Sequence, residues 1–112
     1  MKIAYVRVSS ADQNEARQVE ALKEYDIEKW FVEKVSGKDM NRPELQRLLE
    51  FAREGDTVYV KDFSRLARST KDLLELVERF KEKNIHLVSL KENLDTSTAT
   101  GKLMLTMIAA IN

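Results

Sequence analysis

At 112 residues the chain holds one compact domain with a single apolar core, and 43% hydrophobic with 34% charged residues is the balance of a soluble globular protein. No cysteine and a single histidine, His86, exclude disulfides, thiolate catalysis and zinc centres built on cysteines or several histidines; cysteine absence also fits a cytoplasmic protein. Lysine and arginine together equal aspartate and glutamate at 19 each, so the chain lacks the net positive charge of a strong nucleic-acid binder, and no apolar run approaches the roughly 18 residues of a membrane span.

The N-terminal MKIAYVRVSS has no apolar region of an export signal and reads as a first strand over Lys2 to Val8, with Ile3-Ala4-Tyr5-Val6 suited to burial on both faces. After SSADQN, the segment EARQVEALKEY repeats Ala16, Val19 and Leu22 as an amphipathic helix. Lys29 to Val35 is a second strand, followed by the turn Ser36-Gly37-Lys38-Asp39. Asn41, Pro43 and Glu44 then predict a helix start with a capping box, and Leu45, Leu48, Leu49 and Ala52 give its core face. Gly55-Asp56 ends it before a third strand, Thr57 to Lys61. The loop DFSRLARS leads to a helix capped by Ser69 or Thr70, with Leu73, Leu74, Val77 and Phe80 inward, and Ile85 to Leu90 is a fourth strand. KENLDTSTAT reads as a polar loop. The last segment, GKLMLTMIAAIN, has almost no polar face and must be covered on all sides, either as a final core helix or as a helix packed on another subunit; the lack of a stop signal leads us to expect that it continues.

Strands alternating with helices predict an α/β domain over residues 1–112: a three-layer sandwich with a mainly parallel, flavodoxin-like sheet of four to five strands, ending in an apolar interface helix. Ligands of such sheets bind outside the carboxyl ends of the strands. The loops there carry Arg7, Ser9, Ser10 and Gln13, then Ser36, Lys38 and Arg42, then Lys61, Arg65, Arg68 and Lys71. Several guanidiniums with serine hydroxyls suit phosphoryl chemistry, because arginine presents a planar fork of donors to phosphate oxygens. With a side-chain period of two, Arg7 and Ser9 share one side of the first strand, which favours Ser9 over Ser10 as a nucleophile. Adjacent serines also commonly cap turns, and only the charge of Arg7 inside an apolar strand tips the balance. His86 opens a strand far in sequence from any serine cluster, which argues against a Ser-His-Asp triad, and Tyr5 and Tyr59 read as core. Asp12, Asp39, Asp56 and Asp62 have no spacing that fixes a cation, so no metal is expected, and Gly37, Gly55 and Gly101 are too scattered for a phosphate loop.

These residues resemble the N-terminal catalytic domain of serine recombinases of the resolvase and invertase type, essentially end to end. YVRVSSADQN resembles the nucleophile segment, with Arg7 and Ser9 in the motif's places and Gln13 and Gln18 at matching positions. VSGKDMNRPEL resembles the second motif, placing Ser36 and Arg42, and KDFSRLARS the third, placing Arg65 and Arg68; DTSTATGKL matches before the last helix. The resemblance implies that Ser9 attacks a scissile DNA phosphate, giving a 5′-phosphoserine bond and a free 3′-hydroxyl without cofactor, and that Arg7, Arg42, Arg65 and Arg68 stabilise the transition state. Gln13, Gln18, Ser36 and Ser10 would contact the substrate. It further implies double-stranded DNA as partner, a homodimer through the last helix, a homotetramer at synapsis, and a longer interface helix and DNA-binding domain beyond Asn112.

One departure stands out: where the family commonly has aspartate before the first arginine of the third motif, this chain has Ser64, and Asp62 is the candidate to replace it. Two other readings compete. A phosphate-binding or regulatory domain would keep the arginines without a reactive serine, and an oligomerisation module would rest on the last helix alone.

Overall fold

The computed structural model describes residues 1–8, 15–34, 42–67 and 69–111. Chain order is β1 (Lys2–Val8), α1 (Glu15–Lys23), β2 (Lys29–Lys34), α2 (Pro43–Phe51), β3 (Thr57–Val60), a 3₁₀ turn (Phe63–Arg65), α3 (Thr70–Glu82), β4 (His86–Ser89), β5 (Leu94–Asp95) and α4 (Ala99–Ile111). The five strands form one sheet in the order β2-β1-β3-β4-β5. β1 pairs in parallel with β2 and β3, and β3 with β4; β5 alone runs antiparallel, against β4. This is the α/β architecture expected from the alternation of periods, with the strand order of flavodoxin-like sheets.

The alternation along β1 divides the core in two. Ile3 and Tyr5 face one side, where they pack with Leu45, Leu48 and Leu49 of α2 and Leu73, Leu76 and Phe80 of α3. Ala4, Val6 and Val8 face the other, against Leu22 and Val19 of α1. β1 is therefore buried on both faces, as its apolar run requires. Arg7 shares the phase of Ile3 and Tyr5, which turns it toward the side of α2 and α3.

Several local expectations change. In α1, Ala16 is exposed and the inward positions are Gln18 and Leu22, so a glutamine occupies a place that hydrophobic periodicity does not mark. In α3, Leu76 is buried while Leu74 and Val77 are half-buried beneath α4. Ser69 is the cap of α3, its hydroxyl accepting from the Asp72 N–H at 3.2 Å. The capping box at α2 does not form: the cap residue is Arg42, without a side-chain cap bond, and the Glu44 carboxylate pairs with Arg47 instead; Asn41 lies outside the described residues. Part of the predicted loop KENLDTSTAT is strand β5, too short to show a period.

The DTSTATGK segment builds the start of α4 by local side-chain bonds. Asp95 Oδ1 accepts from the N–H and hydroxyl of Ser97, and Thr98 Oγ1 accepts from the Gly101 N–H at 2.9 Å. A Cβ on Gly101 would lie 1.8 Å from the Asp95 carbonyl oxygen, so glycine there permits the close approach of helix to strand. α4 is not covered on all sides: Leu105 is buried, while Leu103 and Met107 are 60% and 57% exposed. Among the described residues no helix is long and apolar enough to cross a membrane.

Candidate active site

Arginines from three separate segments meet at the carboxyl edge of the sheet. Arg7 closes β1, Arg42 stands at the start of α2 after β2, and Arg65 ends the 3₁₀ turn after β3. Arg7 Nε donates to the Arg65 carbonyl at 3.2 Å and Nη2 to the Ser64 carbonyl at 2.8 Å. In return Arg65 Nη1 donates to the Arg7 carbonyl at 3.1 Å. The reciprocal clasp ties the first site segment to the third. Gln18 Nε2 joins it from α1, donating to the same Arg7 carbonyl at 3.1 Å. Arg42 Nη1 reaches the carbonyl of Leu66, so the second segment is also anchored on the third.

These carbonyl oxygens orient the guanidiniums without neutralising them. Burial, and then the nearby charges of Arg42 and Arg65, hold the pKa of Arg7 below its ordinary value. Desolvation and mutual repulsion thus act on Arg7, which is 8% exposed, and the attraction of a bound anion would offset them. Among the described residues a carboxylate, Asp62, stands beside the cluster: its Oδ2 lies 3.8 Å from Arg65 Nε, and its Oδ1 accepts from the Ser64 hydroxyl. Ser64 and Asp62 are therefore one hydrogen-bonded unit beside Arg65. Gln18 is fully buried, and its Oε1 has no hydrogen-bond partner among the described residues.

Of the sequence-predicted site residues, Arg7, Arg42, Arg65 and Gln18 are brought together. Ser9, Ser10, Gln13, Ser36 and Arg68 lie outside the described residues. Tyr5 is core: it is fully buried, and burial followed by the Glu33 carboxylate pushes its phenol well above the ordinary range, unsuited to act as a nucleophile. Tyr59 is half-buried and tilted against Tyr25 at 5.3 Å between ring centroids. His86 opens β4 at the opposite, amino-terminal edge of the sheet. It lines a cavity of about 550 Å³ between α3 and α4 that contains none of the predicted site residues. Among the described residues no three metal-ligating side chains come together.

Sequence reasoning passed over Glu33, a carboxylate buried one strand away from Arg7 and directly opposite it in register. The signal that marked Arg7 was present here as well. Glu33 keeps phase with buried Phe31, so a charged side chain points inward from a strand.

Comparison with known proteins agrees with this architecture. Residues 2–112 match the family model described as Resolvase, N terminal domain. The chain is 41% identical, over 99% of its length, to the transposon Tn917 resolvase of Enterococcus faecalis, and 44% identical, over 97%, to the transposon Tn501 resolvase of Pseudomonas aeruginosa. It spans only 60% and 59% of the length of those relatives. Among solved structures, the N-terminal catalytic domain of TP901-1 integrase is similar with a TM-score of 0.83 and 35% identity, over all of this chain and 94% of that one. A serine recombinase from Sulfolobus solfataricus is similar with a TM-score of 0.69 and 27% identity, over 80% of this chain and 66% of that one. A match to the family model over nearly the whole sequence, together with these relatives, places the chain in the resolvase family as its N-terminal domain.

Proposed function

We propose that this chain is the catalytic domain of a site-specific DNA recombinase that cuts and rejoins DNA through a covalent 5′-phosphoserine intermediate. The observation that carries the reading is the cluster of Arg7, Arg42 and Arg65, fixed on one another's backbone carbonyls at the carboxyl edge of the sheet. In this reading the Ser9 hydroxyl attacks a backbone phosphorus in line with the departing 3′-oxygen. The new P–O bond forms as the 3′ P–O bond breaks, and the phosphodiester energy is retained for rejoining. Serine is a weak nucleophile at its ordinary pKa, and His86 lies at the far edge of the sheet, so electrostatic stabilisation of the pentacoordinate phosphate carries the larger share of catalysis. Arg7, Arg42, Arg65 and Arg68 supply it; Gln13, Gln18, Ser36 and Ser10 contact the substrate. Asp62, with Ser64, orients Arg65 in place of the family's aspartate.

The partner is double-stranded DNA. With no net charge on this chain, affinity and sequence reading belong to a separate DNA-binding segment, and the setting is the cytoplasm, where DNA is within reach. Leu103 and Met107, one turn apart on the open face of α4, form the seam of a homodimer, and two dimers pair as a tetramer at synapsis. The test is incubation with duplex DNA carrying the cognate site in the presence of its DNA-binding segment. Cut strands with protein on the 5′ ends and free 3′-hydroxyls, absent in Ser9→Ala, are expected. DNA binding with no cut strand in the unaltered protein would contradict the reading and favour a phosphate-binding module.

A further inference from the structure

Glu33 is only 2% exposed although it lies on β2, the edge strand of the sheet, where it turns inward between the half-buried Val32 and the exposed Lys34. A buried carboxylate is retained only where donors satisfy it. Its donors here are the Tyr5 hydroxyl at 3.3 Å, the Glu44 N–H at 3.2 Å and the Leu45 N–H at 3.1 Å. The last two are the first free N–H groups of α2, because Pro43 has none to offer. The cap residue Arg42 supplies no side-chain cap, so a carboxylate from β2 performs from a distance the task a local serine or aspartate usually performs. Negative charge at that position is also favoured by the helix dipole.

The residue whose backbone is fixed by this arrangement is Arg42. Its carbonyl accepts the first intrahelical bond, from Gln46 N–H at 3.1 Å, and its guanidinium reaches Leu66. A shift of the α2 start moves the base of that side chain and the anchor it makes on the third segment. We propose that Glu33 is a positioning residue for strand cleavage, acting by holding the N-terminus of α2 so that Arg42 stands at the phosphate site. The inference rests on the recombinase reading only in assigning Arg42 to that site. In Glu33→Gln an amide NH₂ replaces one acceptor oxygen facing the helix N–H groups, while the volume is kept.

The experiment is a double-mutant cycle on DNA cleavage in the full-length protein with Glu33→Gln, Arg42→Ala and both, alongside ¹⁵N NMR of the Arg42 guanidinium and thermal unfolding. Glu33→Gln is expected to slow cleavage by about ten- to a hundredfold, the worth of a hydrogen bond to a charged group. In the Arg42→Ala background it is expected to add no further loss, and the Arg42 guanidinium resonances of the single variant are expected to move. Losses that multiply in the double variant, or unmoved Arg42 resonances in folded Glu33→Gln, would overturn the proposal and leave Glu33 a general stabiliser. If Glu33→Gln does not fold, Glu33→Asp carries the same cycle, with the charge kept but set back by one methylene. Absence of cleavage in the unaltered protein would refute the recombinase reading, whereas the Arg42 resonances would still decide whether Glu33 positions that side chain.

Discussion

Arg7 and Glu33 are neighbours in register on adjacent parallel strands, yet their charges serve opposite ends: Glu33 turns to the α2 start, and Arg7 to the third site segment. Arg7 uses two guanidinium nitrogens on the carbonyls of Ser64 and Arg65, so removing it loosens the segment that carries Arg65 as well as withdrawing a charge. Arg7→Ala and Arg65→Ala are each predicted to slow strand cleavage by about 10²–10³-fold, the usual cost of one preorganised donor to a developing charge. Single-turnover cleavage on a cognate duplex measures this, and rates within about twofold of the unaltered protein would remove both residues from the site. Arg7 was legible because a charge inside an apolar strand needs a purpose. Glu33 carried the same signal, but in KWFVEKV it lies among Lys29 and Lys34, and the segment alone does not show which of its three charges turns inward. Gln18 was hidden by its polarity, since hydrophobic periodicity assigns inward positions to apolar residues only.

At the scale of elements, the segments with a sustained period were readable. The leucines of α2 and the apolar run of β1 are buried as their spacing requires. What escaped was set by contacts remote in sequence. The start of α2 looks like a capping box, but the capping carboxylate comes from β2, and β5 is a strand of two residues held against β4. The β5–α4 junction makes a sharp prediction. Because a Cβ at Gly101 would meet the Asp95 carbonyl at 1.8 Å, Gly101→Ala forces α4 away from β5 and is predicted to destabilise the domain by about 1–3 kcal/mol, in the range of overpacked sites. Denaturant unfolding reads the loss, and amide exchange across 99–105 locates it. Stability equal to the unaltered protein would mean that the junction yields without cost.

For the whole molecule, the apolar composition of the last helix called for cover on all sides, by the core or by another subunit, and within this domain α4 buries Leu105 but leaves Leu103 and Met107 open. Sequence distinguishes apolar faces but not which of them the same chain covers. With Leu103 and Met107 open, the domain is predicted to associate through α4, and Leu103→Asp with Met107→Asp is predicted to yield monomers by sedimentation while the circular dichroism spectrum is retained. A dimer that persists in the double variant would place the seam elsewhere. The same molecule, with 19 positive and 19 negative side chains, brings Arg7, Arg42 and Arg65 together at one edge of the sheet, and it is on this local excess rather than on total charge that the proposed phosphate site rests. The central claim is tested most directly by trapping the protein on a nicked cognate duplex, digesting the complex and mapping the DNA-linked residue by mass spectrometry. The account predicts a 5′-phosphate bond on Ser9, lost in Ser9→Ala; a bond on any other residue, or none from folded protein bound at its site, would contradict it.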